Sequence, residues 1–316
     1  MNWQLITPTT EAQWQAYYHL RHLVLRAPWQ QPLGSERDDL ETISHHRMIL
    51  DNQGAVLAVG RLHLVDETTA QVRYMAVAAE CREGGLGALL LHTLEQQAVL
   101  LGAKRVILNA RDTAVGFYKK SGYQLGAEQP ALFGIPHWQM TKALYLQGTA
   151  AEQQHWVREL TATWQQTIPL SEFMQLAVES FDGHRLRCCA PLAPNKNLHH
   201  TMFAGSIYSM ATLTGWGMVY LQLKSLGLEG DIVLADAKIR YLAPVTQLPT
   251  AQVDVLELKG DLTALNRGLK VRQQVRVQIL DGSHKVGEFE GRFVVLPVVV
   301  ELESEASLIA HQGEVL

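Results

Sequence analysis

Arg82-Glu83-Gly84-Gly85-Leu86-Gly87-Ala88 follows an apolar, strand-like run and opens an apolar, helix-like one. A glycine-rich turn in that position presents unpaired backbone N–H groups and the positive end of a helix dipole to whatever lies over it. Gly85 and Gly87 let a diphosphate come close to the backbone, and Arg82 adds a positive charge. A second stretch, Asn195-Lys196-Asn197-Leu198-His199-His200-Thr201-Met202-Phe203-Ala204-Gly205-Ser206, opens a longer apolar helix. Two helix-opening sites of different make-up imply two folding units in one chain.

Length agrees with that division, because 316 residues exceed the usual single domain of about 100–200. A hydrophobic content of 47% suffices for two packed cores. A net charge of −4 argues against a nucleic-acid binder. No run is apolar and long enough to span a bilayer, and no basic flank with an apolar core opens the chain, so a cytoplasmic protein is expected. Cys81, Cys188 and Cys189 are odd in number and lack metal-ligand spacing; they read as buried small hydrophobes, and no metal is expected.

Outward from the first motif, the pattern predicts an amphipathic helix over 11–25 and strands over 48–50, 55–64 and 71–78. A helix over 86–101 stops at Gly102, and then come a strand at 105–109, a short helix at 113–120 and a last strand at 137–144. Residues 147–166 are polar and Gln-rich, with Trp156, Leu160 and Trp164 at helical spacing, which reads as a connecting helix. The predicted domains are 1–147 and 169–316, joined by 148–168. In the second, Asp182-Gly183 and Asp281-Gly282 read as hairpin turns. One long helix over 205–226 stops at Gly227, ahead of strands at 231–241, 251–259, 269–280 and 285–296. The class is α+β in both halves.

On the residues just quoted, positions 1–145 resemble the GNAT N-acetyltransferase family, whose acetyl-CoA loop reads Arg/Gln-x-x-Gly-x-Gly-Gly/Ala. Arg82, Gly85, Gly87 and Ala88 match every position, and Asn109, Ala114, Phe117, Tyr118 and Gly122-Tyr123 match a later segment. The resemblance implies acetyl-CoA or CoA as ligand, held by the backbone of Met75 and Val77, by the loop and by Asn109. It also implies Tyr118 as proton donor to the leaving thiolate. The glutamate that many members carry on the preceding strand is missing from Gln71-Val72-Arg73-Tyr74, which leaves Glu36, Asp39 and His63 as candidate bases.

The second half resembles hotdog thioesterases, a long antiparallel sheet wrapped on one helix. Those of the phenylacetyl-CoA type carry Asn-x-x-x-Thr-x-His-Gly-Gly and an Asp seven residues further on. Asn197, Thr201 and Gly205 match, whereas Phe203, Ala204 and Thr212 replace the His, the first Gly and the Asp. Residues 206–226 hold no Asp or Glu, so the device that polarises a thioester carbonyl is kept and the water-activating carboxylate is lost. Decarboxylation of a malonyl thioester needs the first and not the second. The whole chain resembles proteobacterial two-domain proteins linked to malonyl-ACP decarboxylation and the start of fatty-acid synthesis. That implies acyl carrier protein or acyl-CoA as partner and a homodimer through the hotdog half. Arg185, Arg187 and Lys196 are candidate contacts for an acidic carrier. Two other readings stay open: a thioesterase using His199, His200 or another subunit's residue as base, and a GNAT half that senses acetyl-CoA without transferring it.

Overall fold

The computed structural model describes residues 3–298. The outermost residues of the expected domains 1–147 and 169–316 therefore lie outside the described part. The first half runs β1 (Trp3–Ile6), α1 (Glu11–Leu25), β2 (His45–Asp51), β3 (Val56–Leu64), β4 (Thr69–Val77), α2 (Leu86–Leu100), β5 (Arg105–Arg111), α3 (Val115–Lys120), β6 (Gln124–Leu132) and β7 (Ile135–Ala143). They form one sheet in the order β1-β2-β3-β4-β5-β7-β6, antiparallel except between β4 and β5. Thr10 caps α1 and completes a capping box with Gln13, which fixes where that helix starts. The apolar side of α2 buries Leu90, Leu91 and Leu94 against the sheet.

β1 and β6 were not expected from the sequence. β6 has no apolar alternation to read: eight of its nine residues are exposed, and only its pairing with β7 makes it a strand.

The second half continues with α4 (Ala150–Thr167), α5 (Pro169–Phe173), β8 (Ala177–Phe181), β9 (Arg185–Cys189), α6 (Leu192–Asn195), α7 (Ala204–Leu226), β10 (Asp231–Tyr241), β11 (Pro249–Asp254), β12 (Leu258–Lys259), β13 (Val271–Asp281) and β14 (His284–Leu296). A second antiparallel sheet, β10-β14-β13-β11-β9-β8, wraps α7, and β12 pairs with β13. Gly227 closes α7 in the left-handed conformation, φ 63°, as a C-terminal glycine does. The helix of 148–168 is not a free tether. Leu160 and Trp164 are buried in the second core, and the Trp164 ring lies 2.8 Å from where a Cβ on Gly217 of α7 would stand. Only glycine permits that approach.

The expected strand over 251–259 is broken. A single 3-10 turn, Val255–Glu257, interrupts it and turns Leu256 out of the second sheet into the core of the first half. Two further ties cross between the halves: the Leu146 N–H donates to Gly183 O at 2.7 Å, and His184 Nδ1 meets Leu144 O at 2.7 Å. Cys188 is buried, and burial pushes its thiol up to about 12; Cys81 and Cys189 are half-buried. Among the described residues no helix is long and apolar enough to cross a membrane, and no cluster of His, Cys, Asp and Glu has the make-up of a metal site.

Candidate functional site

The first site exists because β4 and β5 part company. They pair only through Thr69–Arg105, Ala70–Val106 and Gln71–Ile107; beyond that β4 stays with β3, and β5 with β7. A bulge drives the divergence. Between the pairs Arg61–Arg73 and Val59–Ala76, β4 spends one extra residue, and Tyr74 takes a left-handed backbone, φ 53°. Gly60 faces this bulge, where a Cβ would come within 3.1 Å of Met75 Cγ.

A buried polar network holds Tyr74 in that unfavourable conformation. Arg21 and Arg61 are fully buried. Arg61 donates to both oxygens of Asp38, Tyr74 OH lies 3.3 Å from the same carboxylate, and Arg21 stacks over the Tyr74 ring at 4.0 Å. Arg21 also donates to both oxygens of Glu41, at 2.8 and 2.9 Å. Burial opposes ionisation of Asp38, but the Leu40 N–H and Arg61 outweigh it, and the carboxyl sits below its usual value.

The opened strands and the glycine loop enclose a cleft of about 1500 Å³. Met75, Val77, Arg82, Gly85, Gly87, Ala88, Asn109 and Tyr118 all line it, so the expected loop and strand residues and Tyr118 are brought to one place. Gly85 stands at the N-cap of α2 with φ 76° and offers no side-chain cap, which leaves the first-turn N–H groups for a ligand. Tyr118 OH lies 3.9 Å from Met75 Sδ, and burial pushes its pKa up to about 12. It therefore carries its proton at neutral pH.

None of the three candidate bases lines the cleft. Glu36 is buried and accepts from Gly34 N at 2.8 Å, and Asp39 is exposed. His63 is buried, and burial followed by Arg61 and Arg73 keeps its pKa low. Two imidazoles do line the cleft: His92 of α2, 3.4 Å from Glu257, and His137, on β7 directly opposite Arg111 of β5, with Nδ1 2.9 Å from Ile135 O. The only signal of His137 in the sequence is a position on the last strand, which pairs with the strand of Asn109.

The second site lies at the N-terminus of α7. A pocket of about 330 Å³ is lined by Asn197, Thr201 and Tyr241 among apolar neighbours. Asn197 closes the turn beneath it: Oδ1 accepts from His199 N at 2.8 Å, and Nδ2 donates to Thr201 Oγ1 at 3.0 Å. That uses one of its two amide hydrogens. Asn195 is a buried brace, donating to Met174 O and Pro191 O.

Gly205 is not in the pocket wall. The half-exposed Phe203 ring lies against its Cα and occupies the place a Cβ would take, so only glycine fits there. His199 and His200 are both exposed and outside the pocket. Among the described residues its lining contains no carboxylate, histidine or cysteine. Thr212 Oγ1 is buried and makes no hydrogen bond. Arg185 is paired with Asp254 and Arg187 with Glu179, so of the three cations near this site only Lys196 is unengaged among the described residues.

Comparison with known proteins matches the two halves of the chain to different families. Residues 11–123 match the model of the family described as "Acetyltransferase (GNAT) family", and residues 157–297 that described as "Putative thioesterase (yiiD_Cterm)". An uncharacterized N-acetyltransferase of Bacillus subtilis, YjcF, is 35% identical over 133 residues, 42% of this chain and 94% of its own. A putative thioesterase from Shewanella oneidensis, of known structure, is 51% identical over 46% of this chain and 99% of its own, TM-score 0.44. An acyl-CoA N-acyltransferase from Pseudomonas aeruginosa is 26% identical over 45% of this chain and 99% of its own, TM-score 0.40. The chain belongs, through its N-terminal half, to the GNAT acetyltransferase family, and behind that half it carries a thioesterase domain of the hotdog type.

Proposed function

We propose that the hotdog half decarboxylates a malonyl thioester, carried on acyl carrier protein or CoA, to the acetyl thioester, while the GNAT half binds acetyl-CoA. The observation that carries this reading is the make-up of the second pocket: amide and hydroxyl donors at a helix N-terminus, and no side chain in its lining able to take a proton from water. The C–C bond to the terminal carboxylate breaks, CO₂ leaves, and the electron pair passes to the thioester oxygen. The resulting enolate is stabilised by the free Asn197 N–H and the first-turn N–H groups of α7, then takes a proton from solvent at carbon. Thr201 holds the Asn197 amide in place. Hydrolysis would need a base, and the two adjacent histidines do not reach the pocket.

In the first cleft the loop 82–88 and the N-terminus of α2 suit a diphosphate, the exposed backbone of Met75 and Val77 suits a pantetheine, and Tyr118 suits a leaving thiolate. The reading includes an enzyme that works in the cytoplasm as a homodimer. Among the described residues β10, eleven residues long, pairs with β14 on one side and with no strand on the other, and Val233 is exposed. Such an edge is covered in a stable protein, and a two-fold pairing places a second copy beside the pocket. Lys196 is the residue offered to an acidic carrier. Incubating the protein with malonyl-ACP and with malonyl-CoA, and separating acetyl thioester from free malonate, tests the reaction and the carrier together.

A further inference from the structure

In the lining of the first cleft, two guanidinium groups stand together without a carboxylate partner among the described residues. Arg26 Nη1 and Arg111 Nη2 donate to the same oxygen, Leu25 O, at 2.9 and 3.2 Å. Arg26 is only 7% exposed, and its Nε is fixed on Ser35 O at 2.8 Å. Arg111 is half-buried and stacks over Trp29 at 4.1 Å. Among the described residues no carboxylate lies within 4 Å of either, although Arg21, Arg61 and Arg73 nearby are all paired with Asp38 or Glu41. Burial, and then the neighbouring Arg26, lower the pKa of Arg111. A buried and a half-buried like charge repel, and in the native state such an arrangement calls for an anion.

Both residues line the cleft. Arg111 lies two residues beyond Asn109 on β5, on the same face and about 7 Å further along the strand. We propose that Arg26 and Arg111 form a carboxylate site, and that the ligand of this part of the GNAT cleft carries a carboxylate within a few bonds of the reacting centre. Two sources present that chemistry: an acceptor amine with its own carboxylate, as in an amino acid, or an acyl group that ends in one, as in malonyl-CoA. The inference rests on the N-terminal half alone and is indifferent to what the hotdog pocket does.

Two measurements on the full chain separate the sources. In the first, acetyl-CoA is offered with amino acids and with the matching amino-acid amides, and CoA thiol release is followed. In the second, malonyl-CoA and acetyl-CoA binding are compared by calorimetry. Each is repeated with Arg111→Gln and Arg111→Lys. The hotdog pocket is unaltered in these variants, so the change between parent and variant reports the first cleft alone. A preference for the carboxylate-bearing ligand in at least one arm is expected. Its KM or Kd should rise about tenfold or more in Arg111→Gln, recover in part in Arg111→Lys, and leave acetyl-CoA affinity unmoved. No preference in either arm, or a preference that survives Arg111→Gln, overturns the proposal. Neither result depends on acetyl-ACP being made.

Discussion

His92 of α2 and Glu257, just past β11, face each other at 3.4 Å between the GNAT half and the hotdog half. The residue before Glu257 is Leu256, buried in the GNAT core, and Arg276 pairs with Glu257 from behind. The hotdog sheet thus gives up a stretch of one strand to dock on the other half, and Lys259 and Arg276 reach the lining of the first cleft.

Leu256→Ala should therefore weaken the docking as a core truncation does, by about 2–5 kcal/mol. Denaturant unfolding followed by fluorescence reads the loss, and limited proteolysis between residues 143 and 150 should speed up. Unchanged stability would mean that the two halves do not lean on each other.

Asp38→Asn removes the counter-charge of a fully buried arginine, and the expected cost at pH 7 is about 3 kcal/mol. The pH dependence has a definite sign. The folded pKa of Asp38 is below its ordinary value of 3.8, so its contribution is complete above that value and is lost as the pH falls through the lower folded one. Parent and variant should converge in stability in strong acid and differ most near neutrality; a gap that widens on acidification contradicts the assignment.

A charge placed inside the glycine loop should reject the diphosphate. In Gly87→Glu the new Cβ meets only Phe117 and Val77 at 3.5 Å, an ordinary contact, and an acid in the first turn of a helix is tolerated. Folding should survive while CoA affinity drops at least about tenfold through like-charge repulsion. Equal affinity by calorimetry would place CoA elsewhere.

The glycine loop, the glycines that end two helices and the hairpin turns were legible in the sequence because each rests on local chemistry: a positive φ or a tight turn. What was not legible depends on partners far along the chain. β6 shows no periodicity because both its faces meet water. The break at residues 255–257 serves a contact with the other half, and nothing in the alternation of 251–259 announces it. His137 and the Arg26–Arg111 pair come together only through the pairing of β5 with β7 and the packing of the segment after α1. Conversely, Glu36 and His63 attracted notice as titratable groups, yet both belong to the packing beneath the cleft.

Thr212 stands where hydrolases of this type keep an Asp, with its hydroxyl buried and unpaired. Thr212→Val removes an unsatisfied polar atom at constant shape. Stability should hold or rise by up to about 1 kcal/mol, and acetyl-thioester formation should continue at nearly the parent rate. A loss of activity with the fold intact would give that hydroxyl a chemical role the present account denies it.

The central claim is that the Asn197 amide stabilises an enolate and that no water attacks the thioester. CO₂ release and acetyl-ACP formation from malonyl-ACP, followed side by side for the parent and Asn197→Ala with folding checked by circular dichroism, test it most directly. The account predicts equal amounts of CO₂ and acetyl-ACP from the parent, and a loss of about 10²–10³-fold in turnover for a folded Asn197→Ala. Free malonate without acetyl-ACP from the parent, or most of the activity kept by Asn197→Ala, would contradict it.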